Sequence, residues 1–437
     1  MGILAIISAI LLLTNGVILT YKSGFFQFKH LDIIFKITFK KLIKGKDLKG
    51  FKAMALALGS TIGIGNIVGV TSAVIIGGAG AVFWMLLSGF AGMIIKFSET
   101  YISVEDKIRN KRNSGGPMYF LKAQCKGIFK NIGTVFALIC VGASFLAGNI
   151  IQSKSIYRFA DIGFNIKPIL ITFLVVPLLI VIILGKDRLY QNFSAVFVPL
   201  MSLFYIFSMV YIIISNFKNI PNAVLSIVSE AFGFRSAVGG FSGFVISQSI
   251  KVGIMKGLFT HEAGMGSSPI AHSSAENPDA FIQGCWGVVE VFIDTVIVCM
   301  LTAFAVLTSP IYLNRNISDP FALICCIFEN SFGTIGIKLL CVSACCFAFA
   351  SIIGWSFYGI KALEFLNKTS IARKIYTVIF VCFVPLSLIF NDAVAWVLTD
   401  IFNSSMLIIN SGFLLVFGGN SVKDLKKIRN VLEIDLK

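Results

Sequence analysis

The stretch ALGSTIGIGNIVGVTSAVIIGGAG, residues 57–80, is apolar enough to enter a membrane but too rich in glycine to cross it as one regular helix. Seven of its residues are glycines, and each glycine inside a helix costs about 1 kcal/mol relative to alanine. The cluster Gly63-Ile64-Gly65-Asn66 is therefore the place where we expect the helix to unwind.

Backbone groups that are freed inside a bilayer cannot face lipid, so the predicted break must line a cavity inside the protein. Such a cavity is suited to hold a ligand or an ion. Small residues that bring two helices close together are the alternative explanation. The polar residues Ser60, Thr61 and Asn66 favour the break, because close packing does not require them.

The composition is that of a membrane protein with many spans. The chain has 437 residues, of which 57% are hydrophobic and 13% charged, and its mean hydropathy is +0.89. Most of the apolar segments reach the length of about 20 residues that a spanning helix needs. Eleven segments are predicted, at residues 2–21, 53–77, 80–105, 133–157, 167–185, 192–215, 239–275 (interrupted), 280–308, 333–364, 371–390 and 393–417. The first is read as a retained helix rather than a signal peptide, because the basic block follows the apolar run.

The net charge of +16 comes from basic residues that cluster on alternate loops, which argues against nucleic acid as a partner. Of the 37 Lys and Arg residues, 27 lie on one set of loops and on the C-terminal tail. By the positive-inside rule the N-terminus is outside and the C-terminus cytoplasmic, in the cell inner membrane. Residues 22–52 are either an amphipathic helix on the anionic inner leaflet or a solvated basic loop.

A second interrupted segment contains GLFTHEAGMGSSP, residues 257–269, where Thr260 and Glu262 suggest the start of a new half-helix. Residues 53–215 and 239–417 are each about five spans long, and each opens with its broken segment. Because five is odd, the two would cross the membrane in opposite directions, as an inverted repeat with a binding site at the midplane. Residues 1–52, 216–238 (with a short helix at 222–232) and 418–437 would be the N-terminal extension, outer loop and cytoplasmic tail.

Few residues are available for catalysis or for a transition metal. The ten cysteines form no CxxC pair, and there are three histidines. Glu290 and Asp294 lie four residues apart in an apolar segment, so they are either functional or paired, Glu290 with a lysine of the seventh segment. A membrane-embedded enzyme that uses Glu290, Asp294 and His272 is one alternative to a transporter, and a channel is another.

Seven motifs in order resemble the alanine or glycine:cation symporter family across residues 58–359. They are GSTIGIGNIVG (59–69), GGAGAVFWM (77–85), SGGPMYF (114–120), GNIIQS (148–153), GLFTHEAGMGSSPIAHSSA (257–275), VFIDT (291–295) and IIGWSFYG (352–359). The resemblance implies an all-α polytopic protein with the LeuT-like five-plus-five inverted repeat, two discontinuous helices and one extra N-terminal helix, making eleven. It also implies a transporter rather than an enzyme, with sodium-coupled uptake of alanine or glycine by alternating access. Proton or other-cation coupling is the alternative, and we expect the chain to work as a monomer.

The resemblance also implies roles for particular residues. The N–H groups of Ile64 and Gly65 would hold the substrate carboxylate, and Asn66, Gln152 and carbonyls near Gly257 would complete the polar shell. Phe259 and Trp355 would enclose the side chain. The sodium ligands would be the carbonyls of Gly59, Ile62 and Phe347 and the hydroxyl of Ser351.

Two positions depart from the family pattern. Ala350 stands where a second hydroxyl residue is usual, which removes one candidate sodium ligand. His261 stands where asparagine is usual, so transport is either pH-sensitive through this histidine or unaffected by it.

Overall fold

The computed structural model describes residues 3–45, 47–185, 187–233, 242–314, 317–423 and Leu425. Every regular element in these ranges is helical. The end of the predicted outer loop, the first residues of the seventh segment and most of the predicted tail lie outside the described residues.

The first half of the chain contains twelve α-helices within the described ranges. They are α1 (Ile3–Ser23), α2 (Phe26–Lys29), α3 (Leu31–Ile43), α4 (Leu48–Thr61), α5 (Val70–Gly77), α6 (Gly80–Arg109), α7 (Pro117–Gln124), α8 (Ile132–Phe145), α9 (Ile151–Phe164), α10 (Pro168–Ile183), α11 (Asp187–Ser215) and α12 (Ile220–Phe232). A π-helical segment, Gly65–Gly69, leads into α5, and another, Leu146–Ile150, joins α8 to α9.

The second half contains nine described α-helices. They are α13 (Ser242–His261), α14 (Ser268–His272), α15 (Ala280–Val291), α16 (Met300–Thr308), α17 (Pro310–Asn314), α18 (Pro320–Phe332), α19 (Thr334–Leu366), α20 (Ser370–Leu386) and α21 (Asp392–Lys423). A long π-helical segment, Phe292–Cys299, joins α15 to α16.

The described part of each predicted apolar segment is largely helical. Seven continuous helices are long and apolar enough to span a membrane, and one bent pair forms an eighth candidate. They are Ile3–Ser23, Gly80–Arg109, Ile132–Phe164, Asp187–Ser215, Ala280–Thr308, Thr334–Leu366 and Asp392–Lys423, with Leu48–Thr61 plus Gly65–Gly77 as the pair. The many-span, all-α class is therefore confirmed, and the number eleven stays a prediction.

The first predicted break is present. The pair Leu48–Thr61 and Gly65–Gly77 is bent by 51°. Ile62 has extended backbone angles, and the helix resumes within three residues of it. Unwinding thus begins one residue before the glycine cluster and ends inside it.

The second interruption is also present. The prediction that a new half-helix starts at Thr260 and Glu262 was wrong. The helix α13 continues through Gly257 and Thr260 to His261, and the next helix begins only at Ser268. Between them Glu262, Gly264 and Gly266 all have positive φ angles, of 51°, 82° and 77°. A helix cannot pass through such a backbone, and Pro269 at the start of α14 favours a new beginning there.

The extra first helix packs along the body of the protein. A Cβ on Gly16 would lie 2.5 Å from the Cβ of Ala91 in α6, so only glycine permits this approach. Asn15 donates a hydrogen bond of 2.9 Å to the carbonyl of Ser411 in α21. Thus α1 is held against α6 and α21.

Three peripheral helices complete the comparison with the sequence. The predicted short helix of the outer loop is α12. Residues 22–52, for which the sequence left an amphipathic helix and a solvated loop open, contain the helix α3, with Ile34 and Ile37 buried. The helix α18 was not predicted. Its signal is local, since Asp319 accepts hydrogen bonds from the N–H groups of Phe321 and Ala322 and Pro320 follows at the first helical position.

Candidate functional site

The first break, residues 62–64, has its freed N–H groups bound by side chains. The N–H of Gly63 donates to Asn66 Oδ1 at 3.0 Å, and the N–H of Ile64 donates to Gln152 Oε1 at 3.4 Å. In a regular helix these two N–H groups would donate to the carbonyls of Gly59 and Ser60. The break therefore leaves those two carbonyl oxygens without their helical donors.

The carbonyls that lose their donors gather around one hydroxyl. Ser351 Oγ in α19 lies 3.1 Å from the carbonyl oxygen of Ser60, 3.4 Å from that of Gly59 and 3.5 Å from that of Ile62. The carbonyl of Ile62 is freed as well, because the N–H of Asn66 donates to Gly63 instead. One hydroxyl has a single hydrogen to donate, so it cannot satisfy three carbonyls. Such a group of oxygens can coordinate a hard cation.

Glycine is required where the break meets its neighbours. A Cβ on Gly63 would lie 2.5 Å from Ser351 Oγ and 3.3 Å from Gln152 Oε1. A Cβ on Gly65 would lie 3.2 Å from Phe259 Cδ1 and 3.2 Å from Thr260 Cγ2. The α9, α13 and α19 helices therefore all approach the break at side-chain contact distance.

Sequence reasoning missed the contact between Asn66 and Asp294. Asn66 Nδ2 donates to Asp294 Oδ1 at 2.7 Å, and Thr295 Oγ1 donates to Asp294 Oδ2 at 2.9 Å. All three side chains are fully buried. The apolar context of Asp294 marked it as unusual, but only the fold shows that it holds the asparagine of the break.

Three other predicted site residues form no polar contact with the break in the described part of the chain. Trp355 packs on Gly148, since a Cβ on that glycine would be 2.1 Å from the Cβ of Trp355. Phe347 lies one turn before Ser351 and stacks edge-on against Tyr205 at 5.2 Å. Gly257 lies inside α13, and its carbonyl accepts a hydrogen bond of 2.7 Å from the hydroxyl of Thr260. Their proposed roles stay predictions.

A buried ionic network lies beside the second interruption. Lys96 Nζ is 3.4 Å from Glu290 Oε1 and 3.8 Å from Glu99 Oε1, and it donates to Ser268 Oγ at 2.7 Å. His272 Nε2 lies 3.0 Å from Glu290 Oε2. Lys96 and Glu99 lie three residues apart on α6, so their contact lies within one helix. The predicted pairing of Glu290 with a lysine of the seventh segment was wrong. Its lysine partner is Lys96 of α6.

The two departures from the family pattern have definite surroundings. Ala350 lies beside Gly59, with its Cβ 3.8 Å from the place that a Cβ on Gly59 would take. His261 is buried, and its Nδ1 accepts a hydrogen bond of 3.0 Å from the N–H of Ala263. A ring nitrogen that accepts a hydrogen bond carries no proton, so the imidazole is neutral while this bond is present. Protonation of Nδ1 would break the bond.

No group of three or more His, Cys, Asp or Glu residues within the described ranges is arranged to hold a metal ion. The oxygen atoms gathered around Ser351 are mainly backbone carbonyls, which suit an alkali cation rather than a transition metal. The side chains proposed for an enzyme are buried: Glu290 and His272 contact each other, whereas Asp294 contacts the break.

Residues 2–435 match the model of the sodium:alanine symporter family. An uncharacterized transporter of Haemophilus influenzae is 34% identical over 91% of this chain and 87% of that protein. The sodium/alanine symporter AgcS of Methanococcus maripaludis is 30% identical over 98% of this chain and 95% of that protein.

The crystal structure of MhsT in complex with L-phenylalanine matches with a TM-score of 0.61 and 16% identity, covering 85% of this chain and 91% of that one. At this identity the likeness concerns the fold alone. The LeuT-like fold implied by the resemblance is confirmed.

Proposed function

The chain belongs to the sodium:alanine symporter family, and from that premise we propose that it couples the entry of sodium to the uptake of alanine or glycine. Family and fold make it a multi-pass secondary active transporter of amino acids. We propose which ion is coupled, which substrate is carried and which residues bind them.

The observation that carries the sodium proposal is the group of freed carbonyls beside Ser351. The carbonyl oxygens of Gly59, Ser60 and Ile62 have lost their helical donors, and all three lie within 3.5 Å of Ser351 Oγ. Sodium would replace the missing donors and take the hydroxyl oxygen as a further ligand. Phe347, one turn before Ser351, would add its carbonyl.

The amino acid would bind on the other side of the same break. The N–H groups of Ile64 and Gly65 lie at the start of the half-helix, where no earlier carbonyl of that helix can accept from them. They and the positive end of the helix dipole would hold the carboxylate. Gln152 would turn from Ile64 to the substrate, and Asn66 and a carbonyl near Gly257 would complete the polar shell.

The size of the substrate pocket would be set by aromatic rings. Phe259 contacts the position of Gly65 and lies 5.5 Å, centroid to centroid, from Trp396 of α21. Trp355 is fixed by its contact with Gly148. We propose that Phe259 and Trp355 leave room for a methyl side chain and exclude a leucine.

Transport would proceed by alternating access between the two five-helix repeats, 53–215 and 239–417. Sodium and the amino acid bind the same broken helix, so each would stabilise the other's binding conformation. The chain would work as a monomer in the cell inner membrane, with its N-terminus outside.

Uptake into proteoliposomes tests the proposal. We expect accumulation of labelled alanine to require an inward sodium gradient and to be inhibited by glycine but not by leucine. Ser351→Ala should raise the sodium concentration for half-maximal uptake, whereas Ser405→Ala, a half-buried serine of α21, should not. Uptake that proceeds equally on a potassium or proton gradient would refute sodium coupling.

Coupling to a proton or to another cation is the second candidate, and Ala350 favours it. The usual second hydroxyl is absent, so the oxygen ligands are fewer than the family pattern provides. Dependence of the same uptake on a proton gradient alone would support this candidate.

A further inference from the structure

A cleft of about 710 Å³ opens between the turn that follows α6 and the turn that joins α19 to α20. We call it the basic cleft, after the four cationic residues that line it: Lys111, Arg112, Lys368 and Arg373. It lies at the ends of the spans, away from the break, and the proposed transport cycle does not use it.

Two of the four cations are already neutralised. Arg112 forms a salt bridge with Asp106. Arg373 lies 3.6 Å from Glu364, a carboxylate that also contacts Lys361 at 2.9 Å. These pairs fix the walls of the cleft, and Arg112 is further held 5.4 Å from the ring of Tyr119.

The other two cations have no counter-charge. Within the described part of the chain, Lys111 and Lys368 form no ion pair, and both are exposed at the cleft. They come from different turns, one on each side of the opening. The cleft therefore carries an excess of positive charge that no carboxylate of its lining balances.

The start of α20 adds backbone donors to the same cleft. Thr369 caps this 17-residue helix, and its Oγ1 accepts from the N–H of Ala372 at 3.3 Å. The N–H of Ser370 lies at the first helical position, where the helix itself supplies no acceptor. Thr369 and Ser370 both line the cleft.

We propose that the basic cleft binds a phosphate-bearing ligand. Lysine ammonium groups, a guanidinium and the N-terminus of a helix are the donors that recognise phosphate oxygens in proteins. The cleft is larger than a single phosphate ion, so the ligand carries its phosphate on a larger body. This body is either the glycerol moiety of an anionic phospholipid or a phosphorylated solute, and the two sources share the same recognition chemistry.

The test uses the full-length chain purified in an uncharged detergent at low salt. Isothermal titration calorimetry would measure binding of pyrophosphate and, separately, of short-chain phosphatidylglycerol, with short-chain phosphatidylcholine as the zwitterionic control. The variant Lys111→Gln/Lys368→Gln removes the two uncompensated charges. Lys126→Gln/Lys130→Gln removes two exposed lysines outside the cleft and has the same net charge.

We expect saturable binding that is weakened at least tenfold in Lys111→Gln/Lys368→Gln and unchanged in the matched control. Lys111→Arg/Lys368→Arg should retain binding, since charge and donors are kept. Binding of pyrophosphate alone identifies a solute site, and binding of phosphatidylglycerol identifies a headgroup site. Absence of saturable binding to both probes, or an equal loss in the control variant, overturns the proposal.

Discussion

Gly63 is the residue on which the geometry of the break depends. Its N–H is bound by Asn66, and its missing side chain leaves room for Ser351 and Gln152. Any Cβ at this position would separate the hydroxyl from the carbonyls that it now faces. The absence of a side chain at Gly63 thus positions both the proposed sodium site and the proposed substrate site.

Gly63→Ala should reduce sodium-dependent alanine uptake by at least about tenfold, because the new methyl group would overpack the rigid site. Gly69→Ala is the matched control. Gly69 belongs to the same half-helix and has open space where a Cβ would lie, so its variant should transport normally. Equal uptake by the two variants would contradict the role assigned to Gly63.

Ala350→Ser should increase the apparent affinity for sodium by about tenfold. An added oxygen that contacts a charged group stabilises the bound state by more than about 1 kcal/mol. The residue faces Gly59, so the added hydroxyl would join the carbonyl cluster. Ser343→Ala, two turns earlier on α19, should leave the affinity unchanged. The measurement is the sodium dependence of initial uptake rates, and an unchanged dependence for Ala350→Ser would place the cation elsewhere.

At the scale of elements, π-helical segments accompany the site. The described chain has three of them: Gly65–Gly69, Leu146–Ile150 and Phe292–Cys299. The first contains Asn66, the second ends two residues before Gln152, and the third contains Asp294. A π-helical turn widens a helix and redirects its side chains, and it often marks functional sites. Here it aims three polar side chains at one break.

The buried network around Lys96 joins α6, α14 and α15, so removing its cation should destabilise the protein. We expect Lys96→Met to lower the free energy of unfolding by about 3–5 kcal/mol, because Glu290 and Glu99 would be left buried without a counter-charge. The double variant Lys96→Met/Glu290→Gln should recover part of this loss. Thermal unfolding in detergent measures both, and a double variant as unstable as Lys96→Met would contradict the electrostatic explanation.

Glu276 links three elements on the face that carries the basic turns. Its carboxylate lies 2.6 Å from Lys49 Nζ at the start of α4 and 2.8 Å from Arg188 Nη2 at the start of α11. Hydrogen bonds from Lys49 and Arg188 lower the pKa of Glu276. Because its pKa is lowered, Glu276 is ionised at pH values above the usual glutamate range, and its contacts there stabilise the fold. This stabilisation is lost as the pH falls through the lowered pKa.

Glu276→Gln should therefore loosen α4. Backbone amides of Leu48–Thr61 should exchange with deuterium a few times faster at neutral pH, as expected for the loss of an exposed ion pair. Glu105→Gln, another exposed carboxylate on the same face, is the control. If both variants leave the exchange unchanged, the contact does not stabilise α4.

At the scale of the whole molecule, charge and helix packing define two faces. Residues 22–52, 107–130 and 361–374 carry 20 of the 37 basic residues, and Glu276 and Glu364 form ionic contacts with Lys49 and Lys361 of these segments. The opposite face has its own links, such as Arg158 with Asp319 at 2.7 Å. A transporter that alternates between openings needs contacts of this kind on both faces.

The orientation of the molecule is testable directly. A fluorescent protein fused after Lys437 should fold and fluoresce, because the basic tail is expected in the cytoplasm. An epitope placed before Met1 should be accessible on intact cells. A dark fusion together with a protected epitope would reverse the orientation.

Much of the fold could be predicted because its signals are local. Apolar runs located the helices, and the glycines of residues 59–69 located the first break. Clusters of basic residues predicted which loops face the cytoplasm. The second interruption was placed too early, since Gly257 looks like a breaker in sequence. In the structure it instead allows α13 to approach Ser88 of α6, where a Cβ would lie 2.1 Å from the serine hydroxyl.

The sequence by itself determined the class of protein, its family and the position of the broken helix, because hydropathy and glycine content act on neighbouring residues. Only the tertiary structure decided which side chains meet at the break. Asp294 follows Asn66 by 228 residues, and Lys96 precedes Glu290 by almost as many. Such pairs leave no local signal, since a buried charge or amide takes its partner from whichever helix the packing brings within reach.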